Sequence, residues 1–159
     1  LLNRSCDENY EMVEGGDYEN AWLYEGKPFA SDDIDDKFGF VYRITNLQNG
    51  REYIGRKYFW KFRTPKGKKR KVKSESDWKK YYGSCPELKE EIKQSGKQNF
   101  SRVILSLHLT KGKTNYEETR QLFKYKVLTE QLDDGTPKYY NSNILSRYFR
   151  KDYHGTDNS

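Results

Sequence analysis

The stretch from Phe38 to Lys57 leaves this chain few ways to fold. Phe40, Tyr42 and Ile44 alternate with Val41 and Arg43 and stop at Thr45-Asn46, which is the two-residue period of a strand. Asn49-Gly50 follows, a dipeptide suited to a hairpin turn. Arg51-Glu52-Tyr53-Ile54-Gly55-Arg56-Lys57 then returns as the partner strand. A lone hairpin is marginal in water and must be covered. Aliphatic cover is scarce, because only 33% of the chain is hydrophobic, aromatic residues included, and 34% is charged. Aromatic residues make up 16%, with 14 Tyr. Tyrosine buries a large apolar body while keeping a polar tip, so a small aromatic core is expected. Downstream, Ser76-Asp77 predicts a cap for a short helix through Tyr82. Pro86 opens a helix to about Gln94 that Gly96 stops. Phe100–His108 predicts a strand. Thr114 or Asn115 predicts the cap of a helix through Glu118 and Leu122 to about Thr129. Asp134–Pro137 reads as a turn, and Ser142–Arg150 as a last helix. This order predicts an α/β (α+β) domain with a small three-stranded, mixed or antiparallel sheet flanked by helices.

Charge divides the chain. Residues 1–36 hold eleven carboxylates against Arg4 and Lys27, and the remainder holds 28 basic and 13 acidic residues. The expected organisation is an acidic arm over 1–36 with an aromatic anchor near Trp22–Phe29, a basic domain over 37–151, and a flexible tail over 152–159. The densest basic stretch, Arg56–Lys80, holds twelve cations against Glu75 and Asp77. Such a run repels itself until a polyanion arrives, and released counterions then drive binding to phosphates. Arg56, Lys57, Lys68, Lys69, Arg70, Lys71 and Lys73 are the candidate nucleic-acid contacts. No apolar run approaches a membrane span. Cys6 and Cys85 lie far apart without metal-type spacing, which fits a reduced compartment. The expected location is the cytoplasm.

Phe40-Val41-Tyr42 and Tyr53-Ile54-Gly55, with the Asn-Gly turn between them, resemble the two halves of the GIY-YIG nuclease motif, with Phe40 where the first Gly stands. Further matches follow in order. Arg63 stands ten positions after Tyr53, with Arg56 and Lys57 as alternatives. Glu118 stands four before Leu122, with Glu117 beside it. Tyr139-Tyr140-Asn141 closes the set. The resemblance covers roughly 38–143 and is greatest to the phage homing-endonuclease branch. It implies a DNA endonuclease with catalytic Tyr42, Tyr53, Arg63, Glu118 and Asn141, and Mg²⁺ (or Mn²⁺) on Glu118.

The residue types suit that chemistry. Phosphodiester hydrolysis needs an activated water, countercharge at the phosphate and help for the leaving oxygen. A Tyr phenol has a pKa of ~10 that a nearby cation lowers, making a general base. Arg offers planar donors to phosphate. One carboxylate with water and phosphate suffices for Mg²⁺. Asn can orient the Glu or the substrate. Whether Tyr42 and Tyr53 share a sheet face depends on register. A non-catalytic nucleic-acid-binding module using the same basic face is the alternative.

Overall fold

The computed structural model describes residues 18–153. Its centre is a five-stranded mixed sheet. The expected hairpin is there, with β3 (Gly39–Asn46) antiparallel to β4 (Glu52–Tyr58). The Phe100–His108 strand pairs antiparallel with the other side of β3. The two further strands come from the segment read as an arm. β1 (Leu23–Tyr24) runs parallel to the Phe100–His108 strand, and β2 (Lys27–Pro28) folds back on β1. The sheet is therefore larger than the three strands expected, and β4 remains one of its edges.

Residues 18–36 belong to the domain rather than to an arm. Trp22, Phe29 and Ile34 are buried in the main core with Phe40, Tyr42, Phe59 and Trp78. Arg102, also buried, donates to the carbonyls of Glu19, Asn20 and Tyr81 and lies 4.7 Å from the Trp22 ring centre. It fastens the segment to the sheet. Acidic surface residues disguise a buried aromatic stripe, which is why composition alone misplaces the boundary. The acidic residues at 1–17 and the tail from 154 lie outside the described residues.

Each sheet face has its own cover. Tyr42 pairs with Gly55 and Ile44 with Tyr53, so Phe40, Tyr42, Ile44 and Tyr53 share one face. That face packs on the aromatic core and on α1 (Pro86–Ser95) through Leu88 and Ile92. The opposite face carries Val41 and Ile54 against Leu122 of α2 (Lys111–Lys124) and against Val127 and Leu128. α2 begins earlier than expected. Thr110 is its cap, accepting from the Lys113 N–H, while Thr114 is buried and donates its hydroxyl to the Thr110 carbonyl.

Past the edge strand, β5 (Trp60–Arg63) and β6 (Val72–Glu75) form an antiparallel ribbon, and the cations from Lys66 to Lys71 lie in the connection between its strands. One further expectation is corrected. The strand at Phe100–His108, β7 in chain order, is followed by α2 and then by no long last helix. Asn143 accepts from the Ser146 N–H, and Leu145 and Ser146 take positive φ, a local turn that competes with helix. β8 (Asn143–Ile144) and β9 (Tyr148–Phe149) form a small hairpin, and only Arg150–Tyr153 is helical, as α3.

Candidate active site

The open edge of β4 borders a cavity of about 560 Å³ whose lining includes Tyr53, Arg56, Ser84, Cys85, Asn115, Glu118, Tyr140 and Asn141. Strand alternation sends Tyr53 to one side of the edge and Arg56 to the other. Glu118 reaches the same space from α2. The Arg56 guanidinium lies 3.4 Å from the Glu118 carboxylate and donates through Nε to Asn115 Oδ1 at 2.5 Å. Tyr58 also donates to Asn115 Oδ1. Glu117 faces away, bound to Arg120 and Gln121, so helical register selects Glu118.

The two motif tyrosines differ in access. Tyr53 lines the cavity, whereas Tyr42 is only 1% exposed and lies behind it. Backbone shape makes room for both. A Cβ on Gly55 would sit 2.5 Å from Tyr42 Oη, so the position tolerates no side chain. Gly83, at φ +86°, would bring a Cβ to 3.0 Å from the Tyr53 ring. Burial pushes the Tyr53 phenol up to about 12; Ser84 draws it down, and Tyr81, Cys85 and Glu118 push it further up. Burial likewise raises Tyr42 well above its ordinary value, followed by the fields of Tyr53, Tyr81 and Glu118. The expected lowering by a nearby cation does not occur at either phenol. Glu118 is raised by burial, with Arg56 pulling it partly back.

Asn141 is 6% exposed and its amide is already spent. Oδ1 accepts from the Ile54 N–H at 3.1 Å and Nδ2 donates to the Ile54 carbonyl at 2.8 Å. It completes the pairing of the sheet edge and lines the cavity without a hydrogen bond to Glu118. Arg63 is not brought to the cavity at all: it sits on the exposed ribbon opposite Val72. Of the expected nucleic-acid contacts, Arg56 is the cavity's cation. Lys57 is tied to Asp77 at 2.6 Å and sits 4.0 Å from the Tyr81 ring centre. Lys73 lies 4.2 Å from the Trp60 ring centre, and Lys68, Lys69, Arg70 and Lys71 are exposed around the ribbon tip.

One supporting residue has no signal in the sequence. Arg51, in the hairpin connection, is buried and pairs with Glu87 at 2.8 Å, donates to the Pro137 carbonyl, and stacks 4.1 Å from the Tyr140 ring centre. Asn46, Glu91 and Tyr140 hydrogen-bond beside it. This network ties the hairpin, α1 and the 137–141 segment together, and so sets where Asn141 meets β4.

Among the described residues no group of three His, Cys, Asp or Glu side chains could hold a metal. A single carboxylate facing an open cavity still fits Mg²⁺, which keeps most of its waters and takes phosphate oxygens as ligands. Burial that disfavours the charge of Glu118 makes a cation beside it more welcome. Among the described residues no helix is long and apolar enough to cross a membrane.

A family profile described as "Putative endonuclease segE, GIY-YIG domain" matches residues 22–144. A protein of Enterobacteria phage T4 described as "Putative endonuclease segE" is 31% identical over 104 residues, 65% of this chain and 40% of that relative. The chain thus spans less than half the length of the curated relative it matches. No solved structure matches it.

Proposed function

This chain belongs to the GIY-YIG family, and on that premise we propose that it is a divalent-metal-dependent DNA endonuclease that hydrolyses phosphodiester bonds at the edge of β4. The observation that carries the reading is the Arg56–Glu118 pair standing in one open cavity with Tyr53. A cation, a carboxylate and a phenol there face the same space.

Roles follow from reach. Arg56 takes the phosphate-binding part expected of Arg63, exchanging its Glu118 and Asn115 partners for phosphate oxygens. Tyr53 is the phenol a substrate can meet. With its pKa near 12 it stays protonated at neutral pH and orients the attacking water by hydrogen bonding. Its phenolate is the stronger base, present at only about 10⁻⁵ of the sites at pH 7. Tyr42 is a positioning residue, its ring 6.2 Å from that of Tyr53. Asn141 fixes the strand that carries Tyr53 and Arg56. Glu118 would hold Mg²⁺, with Mn²⁺ as a substitute, and such an ion supplies countercharge for the leaving oxygen. The ribbon cations Lys68, Lys69, Arg70, Lys71 and Lys73 contribute phosphate attraction.

Incubating supercoiled plasmid with the protein, with Mg²⁺ or with excess chelator, tests the reading. Nicked or linear plasmid is expected with the ion alone. Intact plasmid with both Mg²⁺ and Mn²⁺, or full cutting in chelator, contradicts it.

A further inference from the structure

The β5–β6 ribbon has two unlike faces. In the register, Trp60 is opposite Glu75 and Phe62 opposite Lys73, so these four share one face. That face turns toward the body: the Phe62 ring stacks 6.5 Å from Phe38, and Trp60 Nε1 donates to the Lys37 carbonyl at 3.3 Å. Lys61, Ser74, Arg63 and Val72 make the other face, and all four are exposed. Among the described residues none of the seven cations from Lys61 to Lys71 makes an ion pair.

The base of the ribbon is firmly held. Ser76 donates its N–H to the Phe59 carbonyl and its hydroxyl to the Tyr58 carbonyl, each at 2.7 Å. Glu75 accepts from Trp78 Nε1 at 2.7 Å. Arg56 lines not only the catalytic cavity but also a second cleft of about 270 Å³, which Lys57, Trp60 and Lys61 share. A cationic track therefore leads from the reacting centre to the ribbon.

We propose that this ribbon lies in the major groove of duplex DNA, where Lys61, Arg63, Val72 and Ser74 read base edges. The substrate class rests on the endonuclease reading. Three observations carry the rest. A two-stranded ribbon fits a major groove ~12 Å wide and ~8.5 Å deep. The outward face mixes donors with an apolar contact: Arg63 can take guanine O6 and N7 bidentately, Lys61 and Ser74 hydrogen-bond base edges, and Val72, 51% exposed, meets a thymine methyl. The tip, by contrast, is a run of cations suited to phosphate, which positions without specifying.

The test selects bound sequences from a random duplex library with the full chain carrying Glu118→Gln in chelator. A motif is expected, and methylating its guanine N7 atoms is expected to weaken binding at least tenfold. Adding Lys61→Ala, Arg63→Ala and Ser74→Ala is expected to erase the motif. Arg63→Lys keeps the charge and loses the fork, so it is expected to relax the guanine position alone. No motif from the parent, a motif unchanged in the triple variant, or indifference to N7 methylation overturns the proposal. Offering the selected duplex to the unmodified chain with Mg²⁺ separates the two readings: a ribbon-dependent motif without cleavage refutes the endonuclease and leaves the ribbon, and cleavage without a motif does the reverse.

Discussion

The cavity at β4 and the ribbon beyond it are continuous in sequence yet are stabilised in opposite ways. Around the cavity nearly every polar group has a partner: Asn141 spends its amide on Ile54, Arg56 holds Asn115 and Glu118, and the Arg51 network pins the surrounding segments. The ribbon has a fixed base but an exposed outer face, with Phe62 50% exposed even on its inner side. Chemistry demands geometry held to fractions of an ångström, which packing provides. Recognition of a polyanion demands unpaired charge in solvent, which packing would remove. Changes at the cavity are therefore expected to alter rate or stability, and changes on the ribbon to alter binding.

The largest effect that sharpens this contrast is at Tyr53. Tyr53→Phe is expected to slow cleavage by about 10²–10⁴ with little change in DNA affinity, the range for losing a positioned acid–base group. Tyr42→Phe is expected to cost less, because its phenol lies behind the cavity. The pH profile adds a sign. Below a pKa near 12 the phenolate fraction of Tyr53 grows about tenfold per pH unit, so the rate is expected to climb about tenfold per unit through the alkaline range, with no plateau before about pH 12. On the acid side activity is expected to fall as Glu118 takes a proton, at a higher pH than for an ordinary carboxylate because burial raises its pKa. A plateau near pH 7 would place the base elsewhere.

Asn141→Ala comes next. It strips partners from two buried backbone groups of Ile54 and is expected to cost about 2–5 kcal/mol of stability, read by urea unfolding. Unchanged stability would return Asn141 to a role in substrate contact.

The identity of these elements is only partly legible in the sequence. The hairpin is, because Phe40–Ile44 alternates cleanly ahead of Asn49-Gly50. The Phe100–His108 strand and the helix through Glu118 are too, each carried by a local apolar period. Other features depend on contacts distant in sequence. Arg51 reaches Glu87 and Pro137, and Arg102 reaches Glu19 and Asn20, so nothing nearby announces them. The family resemblance assigns Arg63 to the site by its distance from Tyr53, but the chain turns into the ribbon at Trp60 and carries it away. Arg56, within β4, is held at the cavity by strand alternation. The 18–36 segment is hidden because acidic surface positions are interspersed with Trp22, Phe29 and Ile34.

Replacing Lys68, Lys69, Arg70 and Lys71 with Ala is a milder intervention. Stability is expected to stay constant, while the slope of log K against log salt falls by about 0.9 for each DNA phosphate that is no longer neutralised. An unchanged slope would leave the tip without a partner. The smallest effect concerns the acidic residues before Tyr18. Truncation must stop at 17, since Glu19 and Asn20 hold Arg102. Removing 1–17 is expected to tighten DNA binding a few-fold at low salt and not at high salt, as screening shortens to ~10 Å at 0.1 M. Equal affinity at low salt would make the segment a bystander.

Glu118→Gln bears most directly on the division between cavity and ribbon. It removes the carboxylate and leaves every ribbon cation in place. Cleavage of supercoiled plasmid in Mg²⁺ and duplex affinity in chelator are measured on the same preparation. Loss of cutting by at least about 10³, the scale of removing a main electrostatic contributor, with affinity within a few-fold of the unmodified chain, is the expected result. Cutting at the unmodified rate would contradict it.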